Sequence, residues 1–166
     1  MKRNGVAFSG DMEWASNFYS APIIFDGKIN NLEEIYPQFD FDGLEYPTSE
    51  HLFQSLKTTN ASERNFIRLS PTPGQSKKNG KTVFLRTDWE SVKVDAMRVT
   101  LYLKFYQNPY LLEKLLKTEN ESLVEMNYWN DTFWGIYIKT GKGKNWLGRL
   151  LMELRANLKL LWQFEV

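Results

Sequence analysis

From Trp89 onward the apolar residues Trp89, Val92, Ala96, Val99, Leu103 and Tyr106 return every three or four positions and so share one face of a helix. This spacing predicts a long core helix capped by Asp88. Asn108 and Pro109 open another, with Leu111, Leu112, Leu115 and Leu116 apolar and its end near Thr118. WLGRLLMELRANLKLLW, starting at Trp146, forms the last. Two shorter helices precede these. Asn60 with Glu63 three residues on is a capping-box-like start for one running to Leu69, ended by Pro71 and Pro73. QSKKNGK, from Gln75 to Lys81, is short, basic and stopped by Gly80. Val6 to Phe8 and Ile23 to Phe25 are strand candidates closed by turn signals, with WASNFYS, Trp14 to Ser20, as the loop between them. Ser122 to Trp129 alternates as a half-buried strand does, and Phe133 to Ile138 is its expected partner across a turn holding Asn130 and Asp131. The piece from residue 28 to 43, bracketed by Asp26-Gly27 and Asp42-Gly43, reads as an exposed insertion. The expected fold is mainly α with a few short β-strands (α+β), in one domain spanning 1–166.

One further helix has two-sided chemistry. In LEYPTSEHLFQSLK, Leu44 to Lys57, Pro47 fixes the approach and Thr48 is a good cap. Glu50, Gln54 and Lys57 then share one face, while Leu52, Phe53 and Leu56 share another. A solvated Glu-to-Lys face explains the polar row, and so does a functional one.

Composition narrows the chemistry. With no cysteine and a single histidine, His51, the chain has no disulfides, no thiolate nucleophile and no conventional zinc site. A net charge of +1 excludes the global basic field of nonspecific duplex binders. The start lacks an apolar leader and no apolar run approaches a membrane span, so a soluble, cytoplasmic protein is expected. Aromatic residues make up 15%, with six Trp, more than a core of this size needs, so some are expected to line a cleft. GKGKN, Gly141 to Asn145, precedes a helix and can present backbone amides and lysines to phosphate, although it matches neither the P-loop nor the dinucleotide fingerprint.

Seven segments in order, SNF (16–18), YPTSEHLFQSLK (46–57), DWESVKVDAM (88–97), KFYQNP (104–109), LVE (123–125), DTFWG (131–135) and GKGKNWLGRLLMELR (141–155), resemble the NADAR, or YbiA-like, family over nearly the whole chain. The resemblance implies a mainly helical single domain that hydrolyses N-glycosidic bonds without a cofactor. One branch of the family resembles the enzyme that cleaves ribosylaminopyrimidine intermediates of riboflavin synthesis. Another removes ADP-ribose from guanine in nucleic acid. Two departures stand out: the spacer from Ile29 to Phe41 is longer than usual, and Lys81 stands where the family more often has arginine.

Cleaving a ribosyl C1–N bond builds positive charge on the sugar, and a carboxylate beneath C1 opposes it. Carried onto this sequence, the resemblance implies Glu50 as that carboxylate or as the base that activates water. Asp131 is then the second carboxylate, gripping ribose hydroxyls or protonating the leaving base. Lys57 either neutralises phosphate, pairs with a carboxylate, or attacks C1 to form an imine. Trp89 and Trp134 are candidates to stack on the base, with core packing the stronger alternative for Trp89, and Asn17 is a candidate to hydrogen-bond it. Phe18, Gln54 and Gly135 join the substrate-binding set, and Lys78, Lys142, Lys144 and Asn145 are expected to receive phosphate. His51 points away from Glu50 and reads as structural. The leading partner is a phosphorylated ribosyl small molecule. An ADP-ribosylated nucleic acid is the alternative, drawing on Lys77, Lys78, Lys81 and Arg86, and a noncatalytic binder of ADP-ribose or a NAD derivative is the third reading.

Overall fold

A computed structural model describes residues 5–8 and 10–163, and the chain divides into two compact units. The fold is mainly helical with short strands, as expected. No helix among the described residues is long and apolar enough to cross a membrane.

The unit from Asn17 to Gln107 holds β2 (Ile23–Ile24), a 3-10 turn (Ile29–Asn31), α1 (Leu32–Ile35), β3 (Glu45–Tyr46), α2 (Ser49–Ser55), α3 (Ala61–Arg68), α4 (Pro73–Asn79) and α5 (Trp89–Gln107). β2 and β3 pair antiparallel, Ile23 against Tyr46. On its other side, the Gln107 carboxamide satisfies both backbone groups of Ile24 at 2.8 Å, extending the ladder with a side chain. α2 packs against α3, α4 and α5, and all seven of its residues are buried. The polar row of this helix is therefore not a solvated face.

Capping largely follows the sequence. Thr48 accepts from His51 N, and Asn60 accepts from Ser62 N and Glu63 N. Glu63, however, does not complete a capping box: its two oxygens take Thr58 Oγ1 at 2.6 Å and Phe84 N at 3.0 Å, which ties the 82–86 loop to α3. Asp88 also departs from expectation. Its carboxylate grips the Arg86 guanidinium at 2.6 and 2.9 Å, which holds it below the ordinary carboxylate value, and only its backbone carbonyl receives amides of α5. The α5 stripe is buried except for Tyr106, which is 46% exposed and stacks on Tyr102.

Residues 28–43 are exposed at most positions, as expected, but are anchored to the rest of the unit. Leu32 and Phe39 are buried, Phe41 stacks on Phe25, and Arg86 lies over Phe39 while donating to Gln38 O. Buried Arg64 joins Asp42 at 2.8 Å and Asp40 at 3.4 Å, and Asp42 also accepts from Tyr46 Oη at 2.7 Å. Burial, with the Asp42 hydrogen bond next, raises the Tyr46 phenol well above its ordinary value.

The other unit comprises the residues up to Ser16 and from Asn108 on: β1 (Gly5–Ala7), a 3-10 helix (Gly10–Ala15), α6 (Pro109–Lys117), β4 (Ser122–Val124), β5 (Met126–Asn127), β6 (Ile136–Tyr137) and α7 (Trp146–Gln163). The strand expected over 122–129 is broken at Glu125. β4 pairs parallel with β1, and β5 pairs parallel with β6, Met126 against Ile136. A hairpin would be antiparallel, and the intervening loop, with Asn130 in the left-handed region at φ 63°, instead carries the chain back to start β6 in the same direction.

Replacing Arg64 by Ala leaves Asp42 and the Tyr46 hydroxyl without their cation. The expected cost is about 2 kcal/mol, discounted because the carboxylates are partly exposed. A urea titration should show a lower midpoint at unchanged slope; an unmoved midpoint would remove the network as a stabiliser.

Candidate active site

In the Asn17–Gln107 unit, the loop Asn17–Ser20 anchors the start of α2. Asn17 O accepts from Glu50 N at 3.0 Å and from Ser49 Oγ at 3.2 Å, so one carbonyl fixes the turn that carries the carboxylate. Glu50 is 6% exposed. One helical turn on, Gln54 Nε2 donates to Glu50 Oε1 at 2.7 Å. An ionised group at such depth is costly unless hydrogen-bonded, and this amide is one of its supports.

Lys57 ends the polar row. Burial lowers its amine below the ordinary value of 10.5; Glu50 opposes the shift, while Lys77 and Lys81 add to it. Three amines and a carboxylate thus share one neighbourhood. Lys77 lies over the ring of Phe18 at 5.9 Å, and Phe18 is 45% exposed. Lys77 and Lys81 stand four apart about the end of α4, whereas Lys78, the expected phosphate ligand, points to solvent as an exposed residue outside this group. The helical spacing of Lys77 and Lys81 was the available signal.

Other expected residues have other occupations. Gln54 is 3% exposed and its Nε2 is spent on Glu50, so it braces the carboxylate. Trp89 is buried against Phe53 with ring centroids 5.4 Å apart, the core alternative. His51 is structural: a carbonyl only accepts, so Nε2 donates to Ser70 O at 3.0 Å and Nδ1 accepts from Thr48 Oγ1 at 2.9 Å. Asn17 is buried; its Nδ2 meets Met97 Sδ at 3.3 Å, and its Oδ1 has no hydrogen-bond partner among the described residues. Lys104, passed over in the sequence, is fully buried on α5 beside the rings of Tyr19 and Phe105, and burial pulls its amine down to about 7.

Asp131, Trp134, Gly135, Lys142, Lys144 and Asn145 belong to the other unit. Asp131 Oδ1 accepts from Phe133 N at 3.0 Å and Trp134 N at 2.9 Å, while Asn127 braces its backbone from both sides. Trp134 meets Phe133 edge-on at 4.8 Å. Gly135 is required by close approach: a Cβ there would sit 2.4 Å from Glu125 O. Lys144 N and Asn145 N of the 141–145 loop, and Trp146 N and Leu147 N that follow it, donate to carbonyls of Thr132 to Gly135, so these amides are already spent within the protein. Asn145 likewise spends its side chain on Glu125 N at 3.0 Å and Leu123 O at 2.8 Å. The Lys142 and Lys144 side chains are exposed, the latter over Phe133 at 5.5 Å. Among the described residues, no group of three His, Asp or Glu side chains is arranged to hold a metal ion.

The model of the NADAR domain matches residues 7–159 and so spans both units. N-glycosidase YbiA of Shigella flexneri serotype 5b is 44% identical over 159 residues, covering 95% of this chain and 88% of that protein. The chloroplastic riboflavin biosynthesis protein PYRR of Zea mays is 37% identical over 134 residues, 74% of this chain and 21% of that protein. The NMR structure of Escherichia coli YbiA superposes with a TM-score of 0.76 at 35% identity, covering 98% of this chain and 92% of that one.

Burial holds the His51 imidazole below its ordinary 6.5, the Ser70 carbonyl opposing. Its stabilising share is present above that value and is lost as pH falls, because the unfolded chain binds the proton first. The share of Lys104 is lost between 10.5 and about 7 and is level below. Stability should therefore fall more steeply from pH 6.5 toward 5 in the parent than in His51→Gln; parallel curves would remove the linkage.

Proposed function

The chain belongs to the NADAR family and is an N-glycosidase, and from that premise we propose that it hydrolyses the C1–N bond of a phosphorylated ribosylaminopyrimidine, with Glu50 opposing the charge on the sugar. The observation that carries this reading is a buried glutamate held by Gln54 and seated on a helix start clamped by Asn17. As the C1–N bond breaks, its electron pair passes to the base nitrogen, which takes a proton from solvent that the protonated Glu50 later returns. The water oxygen bonds to C1, and Glu50 receives the proton it releases. Burial, aided by Lys77 and Lys81 and opposed by Glu50, lowers the Lys57 amine and so favours the neutral form an imine route needs; direct attack by water rests on Glu50 instead.

Phe18 offers an exposed ring for the base, and Asn17 Oδ1 is an acceptor for one of its N–H groups. Lys77 and Lys81, beside Lys57, receive the phosphate. The name riboflavin biosynthesis protein, borne by a relative of which this chain matches 21%, supports the pyrimidine. The nucleic acid reading loses one of its cations, since Arg86 is engaged by Asp88 and Gln38 O.

Incubation with a phosphorylated ribosylaminopyrimidine, ADP-ribosylated guanine DNA and NAD, followed by mass spectrometry, should find the base released from the first. Release from the DNA alone or from NAD alone would overturn the substrate assignment. Glu50→Gln keeps the shape and removes the charge, so turnover should drop at least about a hundredfold with the fold retained by circular dichroism; near-parental turnover would exclude Glu50 as the carboxylate.

The double variant Lys77→Ala/Lys81→Ala should raise KM more than it lowers kcat, by an amount that shrinks in high salt. If the parent handles the dephosphorylated nucleoside as well as the phosphate ester, the phosphate role of these lysines is wrong.

A further inference from the structure

Gly80 follows the last residue of α4 with φ −62° and ψ −12°, right-handed values open to any L-residue. A glycine at a helix end commonly serves a left-handed turn, and this one does not. By backbone criteria alone alanine would be welcome there. What the glycine supplies is room. A Cβ at position 80 would lie 2.2 Å from Gln54 Oε1 and 3.1 Å from both Cβ and Cδ of that side chain. Two of those atoms form the stem and root of the carboxamide, in a helix packed on three sides, so the side chain cannot swing clear without leaving its place.

That place matters because of what the carboxamide does from it. Nε2 donates to Glu50 Oε1 at 2.7 Å, while Oε1 is buried with no hydrogen-bond partner among the described residues. The bond to Glu50 is thus the polar tether of the amide, and its oxygen occupies the space that a side chain at position 80 would need. A buried acceptor without a partner is a standing cost, tolerated when the same group does work elsewhere.

We infer that Gly80 and Gln54 are positioning residues for Glu50: the missing side chain at 80 lets the Gln54 amide hold one carboxylate oxygen and so directs the other. The inference rests on Glu50 acting on the glycosyl group as proposed above. Neither residue needs to touch substrate. Alignment of a reacting group to within a fraction of an ångström affects the rate far more than binding, and the effect belongs in kcat.

The test is a double-mutant cycle on the phosphorylated ribosylaminopyrimidine, or whichever of the three substrates above the parent cleaves. Gly80→Ala and Gln54→Ala should each lower kcat at least about tenfold, with KM changed by less than about twofold. In the Gln54→Ala background, Gly80→Ala should cost less than about twofold, because the atoms it would strike are gone. An equal loss in both backgrounds overturns the inference, as does a parental kcat in Gly80→Ala. Should Gly80→Ala fail to fold, Gln54→Met keeps the length and removes the donor; a parental kcat there is equally fatal. Glu50→Gln separates the two levels. If it turns over like the parent, the assignment of Glu50 falls and this inference with it; if it is inactive beside an additive cycle, only the positioning role falls.

Discussion

The constraint on which the site depends is the complete burial of a seven-residue helix whose sequence is largely polar. α2 carries Ser49, Glu50, His51, Gln54 and Ser55, all of them buried. Each must find a partner inside the protein, since an unpaired buried polar group costs about as much as several good contacts return. The unit meets this demand almost group by group. Ser49 goes to Asn17 O, Gln54 to Glu50, His51 to Thr48 and Ser70 O, and Ser55 to Arg64 O. The partners come from the entry loop, from α3 and from the turn that leads into α4, so satisfying one helix fixes the elements around it.

Chemistry follows from the same burial. A carboxylate away from water is weakly screened, and the partly buried Lys57 beside it feels Glu50 as well as the neighbouring Lys77 and Lys81. Charges held this way are already polarised, which is what the proposed reaction would use. Keeping like charges together opposes folding; an anionic group delivered by a ligand relieves it.

The other unit solves a different problem with asparagines. Asn127 and Asn145 each use both ends of the amide to join strands and turns that regular pairing does not reach. Their work holds the Asp131 turn, whose carboxylate stabilises two successive amides before Trp134. The 141–145 loop, glycine-rich and basic, is tied down by its bonds to the 132–135 carbonyls.

The sequence by itself determined the helices and several of their ends, because caps and stops obey local rules: Thr48 and Asn60 accept first-turn amides, and α4 ends at Gly80. It also brought Glu50 and Gln54 onto one face, with Lys57 just past the end of the helix, since helical period is a property of the chain alone. What that face meets is not. The same polar row would suit water, and only packing by α3, α4 and α5 made it an interior. Tertiary structure likewise turned the strand expected over 122–129 into two parallel pairings, drew residues 28–43 down through Leu32, Phe39 and Arg64, and claimed the loop amides for carbonyls. In each case the deciding partner lies far along the chain, and periodicity carries no information about distant partners. Gly80 is the sharpest instance: as a letter it reads as a helix stop, and only the position of Gln54 shows that its lack of a side chain makes room for an amide.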